Sequence, residues 1–188
     1  VKDLTFEVLA PDELSDEDVE AAGFPDWRVN LHRFVGECDR LIALMEGYRG
    51  APPDDRPVCF LDGSLIVSFA QHMLPVRQRQ YVRAVHRLLD ASEELGIPLV
   101  GYVDTSYAND LTKMLDAVIG SPGGKASRIS DGALLRGHEM AWGDRSTAWI
   151  CARDDDLEPL GGRNYYDRVL FVYLQTTAAR PPARLDMP

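Results

Sequence analysis

Three aspartates stand where a sheet protein gathers its reactive groups. Asp62 interrupts the apolar run "PVCFLDGSLIVSF", Asp104 closes "PLVGYVD", and Asp131 lies within "ISDGALL" near a helix start. In an α/β sheet, ligands collect at strand ends and at the helix starts beside them. A carboxylate among apolar residues needs its charge compensated. Carboxylates brought together repel unless they share a proton or hold a cation. Their hard oxygens favour Mn²⁺ or Mg²⁺, and such ions can activate water for phosphodiester cleavage. Gly63 suits close approach of a ligand to the backbone, and Ser64 offers a hydroxyl. Plainer roles stay open. Asp62-Gly63 is a strong hairpin dipeptide, and Asp104, Ser106 and Asp131 are all good helix N-caps.

The elements that must position these residues follow from periodicity. Ser15 and Asp18 suggest a short acidic helix near 16–22. From Asp26, apolar residues Leu31, Phe34, Val35, Cys38, Leu41, Ile42 and Met45 recur at three- and four-residue steps. They predict an amphipathic helix ended by Gly47 or Gly50. The stretch from Pro57 to Phe69 reads as one strand, or as two short strands turning near Gly63-Ser64. A helix over 76–95 follows, with Gly96 as its stop signal. "IPLVGYVD" reads as a buried parallel strand. "SYANDLTKMLDAVIG" reads as a helix with Leu111, Met114, Leu115 and Val118 on its apolar face. Another helix starts at Asp131, and "RSTAWICA" and "RVLFVYLQT" are strands. The order predicts an α/β or mixed α+β layered sheet, parallel where a helix intervenes.

Composition narrows the class. The 188 residues are 45% hydrophobic and 27% charged, which fits one globular domain. No apolar run approaches the roughly 20 residues of a membrane span, and no signal-peptide core is visible, so a cytoplasmic protein is expected. The net charge of −10 argues against non-specific coating of nucleic acid. That acidity lies mostly in the N-terminal segment, which leaves room for a local basic surface after residue 57. Cys38, Cys59 and Cys151 are scattered among apolar neighbours and read as small buried hydrophobes. No phosphate-cradling GxxxxGK loop is present, which argues against ATP hydrolysis by this chain.

Other residues invite roles beside blander ones. Arg79, Arg83 and Arg87 recur every four residues, with Arg77 adjacent, and form either a phosphate-binding stripe or a solvated helix face. Arg145 can orient a phosphate or make a structural ion pair. His72 and His138 read as structural or exposed. Asp154, Asp155, Asp156 and Glu158 read as an acidic surface loop without EF-hand spacing.

An ordered series of segments, "FLDGSL", "GIPLVGYVDTSYANDLTKML", "ISDGALL", "GDRSTAW", "RVLFVYLQT" and "ARLDMP", resembles the NurA family of prokaryotic 5′→3′ DNA end-processing nucleases. The resemblance covers about residues 57–188. It implies an RNase H-like fold, an α/β mixed sheet flanked by helices, here preceded by an acidic helical segment over 1–56. It implies metal-dependent hydrolysis of DNA in double-strand break repair, usually with Mn²⁺ and with Mg²⁺ as the alternative. The implied partners are DNA ends, a hexameric HerA-type ATPase and a second copy of the chain. Asp62 and Asp131 carry over as catalytic metal ligands. Asp104 is the candidate for the acid between them, with Asp110 and Asp116 as competitors. Ser64, Arg79, Arg83, Arg87 and Arg145 are the candidate DNA contacts. The family continues past "RLDMP" with further elements and late site residues, including a histidine, so a core lacking those elements is expected. The alternative function is a non-catalytic RNase H-like module that docks the ATPase. A weaker rival is a phosphohydrolase acting on small phosphorylated substrates.

Overall fold

The computed structural model describes residues 26–120, 128–136, 140–153, 165–178 and 180–188. The expected acidic helix near 16–22, His138 and the acidic run from Asp154 to Glu158 lie outside the described residues. Helix α1 spans Asp26–Glu46. Strand β1 is short, Cys59–Asp62. Helix α2 runs Pro75–Leu95 and leads into β2, Leu99–Val103. Then come α3 (Asp110–Val118), α4 (Asp131–Arg136), β3 (Trp149–Ile150), β4 (Leu170–Leu174) and β5 (Ala183–Met187).

Among the described residues, five strands form one mixed sheet in the order β1-β2-β5-β4-β3. β1 and β2 are parallel, as their helical connection requires. The other pairs are antiparallel. This α/β architecture, with a mixed sheet, flanking helices and a leading helix, is consistent with an RNase H-like fold.

Strand alternation gives the sheet two unlike faces. On one, Cys59, Leu61, Leu99, Phe171 and Tyr173 are all buried. They share a core with Leu31, Cys38 and Met45 of α1 and with Val82, Val85, Leu88 and Leu89 of α2. The other face stays open at its margins, where Phe60 and Ile150 are about 60% exposed (59% and 60%). Helix α2 starts with Pro75 in its first turn and ends on Gly96, whose φ of 61° is the left-handed C-cap that glycine supplies cheaply. The three cysteines are buried and free, and burial pushes the Cys38 thiol up to about 12.

Two expectations need correction, and one strand was not expected. The apolar run after Gly63 is not a second strand. Leu65, Ile66 and Val67 are buried without a sheet partner, because side chains take their backbone groups. Asp186 accepts from the Leu65 amide, the Tyr165 hydroxyl binds both the Leu65 carbonyl and the Val67 amide, and the Ser64 hydroxyl accepts from Ile66. The apolar face expected for α3 is rotated. Leu111, Thr112 and Asp116 are buried, whereas Met114 and Val118 are exposed. Finally, "ARLDM" is a strand lying at the centre of the sheet.

Candidate functional site

Asp62 is the last residue of β1, and its side chain is exposed on the open face beside Phe60. It pairs in register with Tyr102. Asp104 follows β2 by one residue, about 7 Å further along the sheet at the usual strand rise. Its carboxylate is half exposed, meets Arg180 Nη1 at 3.1 Å and accepts a long hydrogen bond of 3.4 Å from the Tyr102 hydroxyl. These two carboxylates thus stand at the same end of neighbouring parallel strands.

Asp131 lies elsewhere. It is fully buried, and its carboxylate caps α3 from a different element. It accepts from the Leu111 amide at 3.1 Å, the Thr112 amide at 3.0 Å and the Tyr173 hydroxyl at 2.9 Å. Asn109, the residue at the α3 N-cap, makes no side-chain cap of its own, so Asp131 serves the two orphan amides instead. Tyr173 belongs to the row Val103–Arg184–Tyr173, which faces away from Tyr102 and Asp62. Asp131 is therefore on the opposite side of the sheet from Asp62. Burial and the Asp131 charge push the Tyr173 hydroxyl above its ordinary range.

Near Asp131, a second charged group closes the same face. Arg184 is 2% exposed and Asp186 is 0% exposed. Arg184 Nε donates to Asp186 at 2.7 Å, and its Nη1 donates to Asp110. Arg153 grips the other side of Asp110 with Nε at 2.7 Å and Nη2 at 2.8 Å, and its Nη1 reaches Ser68. Burial alone would raise the Asp110 carboxyl. Hydrogen bonds and charge from Arg153, then Arg184, outweigh that and hold it below the usual carboxylate range. Asp186 also accepts from the Ser64 hydroxyl and the Leu65 amide, which ties β5 to the segment after β1. Gly101 sits in the tightest place beside it. A Cβ there would lie 2.7 Å from the Gly63 carbonyl oxygen, so only glycine lets β2 pass.

This cluster floors a cleft of about 1130 Å³. The cleft opens past the C-terminal ends of β1 and β2, where Ser64, Val103 and Thr105 line it, and it extends along the start of α3. Of the five residues proposed as DNA contacts, Ser64 alone is in its lining. Arg87 is held by Asp39. Arg83 is exposed on α2, Arg79 is half-buried on the same helix, and Arg145 is exposed beside the Ser146 carbonyl. Arg77 stacks over Trp27 at 3.6 Å, and His72 is exposed beside Gln71.

A resident cation needs several oxygens aimed at one point. Among the described residues, no three His, Cys, Asp or Glu side chains are grouped to hold one. Asp131 already accepts three hydrogen bonds of the roughly four a carboxylate can take. Asp110 and Asp186 are each neutralised by guanidinium. As arranged here, Asp62, Asp104 and Asp131 do not form a three-ligand site for Mn²⁺ or Mg²⁺.

Asp110 was within reach of sequence reasoning, which placed it among the acids between Asp62 and Asp131. Arg184 and Asp186 were not, because their alternation with Ala183, Leu185 and Met187 implies charges outward. The structure inverts that pattern. The signal available was opposite charge at i and i+2, which puts a matched pair on one face of a strand.

Among the described residues, no helix is long and apolar enough to cross a membrane. No curated protein and no solved structure matches the chain. The model of the NurA domain matches residues 11–188, taking in α1, every strand and the cleft. The chain therefore belongs to the NurA family, a membership that implies a nuclease-related function in DNA end processing.

Proposed function

We propose that this protein is a DNA nuclease that hydrolyses phosphodiester bonds at DNA ends, resecting 5′→3′ during double-strand break repair, with DNA lying in the cleft beyond β1 and β2. The observation that carries this reading is position. Among the described residues the cleft opens at the C-terminal ends of the parallel strand pair, where α/β sheets place their ligands. Asp62 and Asp104 stand at that same end with exposed carboxylates, outside the lining of the cleft itself. Mn²⁺ is the cofactor the family resemblance calls for, with Mg²⁺ as the alternative. Among the described residues no three side chains are grouped to hold such an ion. The test is release of labelled nucleotides from linear single- and double-stranded DNA, with Mn²⁺ and with chelator, for the wild type and Asp62→Asn. Mn²⁺-stimulated release that Asp62→Asn abolishes supports the reading. A protein that binds DNA and Mn²⁺ but cleaves neither substrate sinks it.

A second reading has its own observation. The carboxylates of Asp110, Asp131 and Asp186 are all occupied by structural donors, as in a body that no longer cleaves. The chain would then be a module docking a HerA-type ATPase, alone or as a homodimer, through the open sheet face with Phe60 and Ile150. Co-sedimentation with such an ATPase that Phe60→Lys abolishes, in a protein without nuclease activity, would favour it.

A further inference from the structure

The segment after β1 forms one wall of the cleft, lined by Ser64, Ile66, Ser68 and Phe69. Leu65, Ile66 and Val67 lie in that wall outside the sheet, so its firmness depends on the side chains that take its backbone groups. Two anchors do so from opposite parts of the fold. Asp186 of β5 accepts from the Leu65 amide at 3.1 Å and is itself fixed by Arg184. Tyr165 accepts from the Val67 amide and donates to the Leu65 carbonyl, both at 3.0 Å.

Tyr165 is 3% exposed and opens the single helical turn Tyr165–Arg168. That turn docks on α2 in two ways. Arg168 reaches Asp90 at 2.8 Å and Glu93 at 3.0 Å, in partly exposed pairs of small worth. The Tyr165 ring meets the His86 imidazole edge-on, with centroids 5.1 Å apart.

His86 has no part in the site described above. Its Nε2 is buried and has no hydrogen-bond partner among the described residues. On a neutral ring that nitrogen can be a bare lone pair. On an imidazolium it must be a donor, and a charged donor without an acceptor costs far more. Charged groups approach from both elements. On α2, Arg79 and Arg83 precede His86 on the same flank, and Asp90 and Glu93 follow it. From the docked turn comes Arg168, while Asp167 is exposed and Tyr166 is buried against Tyr165. Burial and the Arg168 charge outweigh Asp90 and hold the His86 imidazole below the ordinary histidine range.

We propose that His86 and Tyr165 form an acid-sensitive latch on the cleft wall. With His86 neutral, the turn stays seated and the Tyr165 hydroxyl holds Val67. Protonation of His86 unseats the Tyr165 ring, the hydroxyl leaves Leu65 and Val67, and the wall loosens on that side alone. The Asp186 anchor does not pass through His86. The latch is complete above the ordinary histidine value of 6.5 and is lost as pH falls through the lower folded value. It belongs to the wall itself and holds under either functional reading. Because the opening is local, it shifts global denaturation little, and amide exchange is the measure that sees it.

The experiment is NMR hydrogen exchange of the full chain at about pH 7.5 and about pH 5, on either side of the ordinary histidine value, with protection corrected for intrinsic exchange. Val67 should lose about fivefold of its protection at the lower pH, the worth of one hydrogen bond, while Leu65 stays within about twofold. His86→Gln cannot titrate there and should keep Val67 equally protected at both pH values. Tyr165→Phe keeps the ring but not the hydroxyl, and should lower Val67 protection at both. Arg168→Gln removes the opposing cation and should move the loss to higher pH, whereas Asp90→Asn should move it lower. Equal protection of wild-type Val67 at both pH values overturns the latch. So does parallel loss at Leu65 and Val67, since the whole wall would then be opening. Loss that persists in His86→Gln assigns the effect to another group and overturns it too. If His86→Gln does not fold, a loss whose midpoint neither Arg168→Gln nor Asp90→Asn moves overturns it on its own.

Discussion

Asp110, Asp131 and Asp186 differ from Asp62 and Asp104 in one respect that decides the rest. Asp131 and Asp186 are fully buried, Asp110 is partly buried, and each is held by two or more donors. The other two are exposed at strand ends, and the ion pair of Asp104 with Arg180 is solvent-facing. The same side chain is thus used as mortar on the helix-covered face and left available on the open one. Burial made the difference, because a desolvated carboxylate must be matched by charge or by hydrogen-bond donors to exist at all. Removing a carboxylate should therefore hurt folding on one face and leave it nearly untouched on the other.

The largest effect is expected at Asp186. Asp186→Ala would leave Arg184 charged, buried and short of a partner, and would strip the acceptor from Ser64 and Leu65. Urea denaturation should show a loss of about 3–5 kcal/mol, the usual cost of breaking a buried ion pair from one side. A loss below about 1 kcal/mol would mean that the cluster relaxes to solvent and the contrast between the faces is wrong. Asp131→Ala comes next, at about 2–4 kcal/mol. It removes a cap and orphans the Tyr173 hydroxyl. Asp131→Asn should recover part of this, since one amide oxygen still accepts.

Acid probes the same face without mutation. The Asp110 carboxyl is depressed in the folded protein. Its stabilisation is therefore complete above its unfolded value, near 3.8, and is lost as pH falls below that through the folded value. Denaturation midpoints should hold steady down to about pH 4 and drop below it. Asp110→Asn should blunt that drop. A drop of the same size in Asp110→Asn would assign it to other carboxylates.

The sequence made the scaffold legible and the wiring obscure. α1 and α2 were readable because their apolar residues follow the helical period and glycine marks their ends, and that signal is local. The parallel pairing of β1 and β2 followed from the helix between them. The role of Asp131 was not readable. Its candidacy as an N-cap was visible, but the helix it caps begins 21 residues earlier in the chain, at Asp110, and local spacing carries no trace of such a contact. The "SLIVSF" run misled because apolar continuity resembles a strand, whereas its amides and carbonyls are met by Asp186 and Tyr165 from more than 90 positions away. β5 was not legible as a strand at all. Its charges face inward because Arg184 and Asp186 pair with each other, and the further partner Asp110 comes from elsewhere in the chain.

The smallest stability effects belong to the open face, and they make the functional test clean. Asp62→Asn and Asp104→Asn remove no buried partner, so each should change stability by less than about 0.5 kcal/mol. Arg180→Ala breaks an exposed pair with Asp104 and should cost between about 0 and 1 kcal/mol, most of it gone in high salt. Because folding is spared, any loss of DNA cleavage in Asp62→Asn reports on the chemistry. The same loss in Asp131→Asn would be confounded by a weakened α3. If Asp62→Asn proved as destabilising as Asp131→Asn by urea denaturation, Asp62 would have to be buried against a partner, and the division of the carboxylates between the two faces would fall.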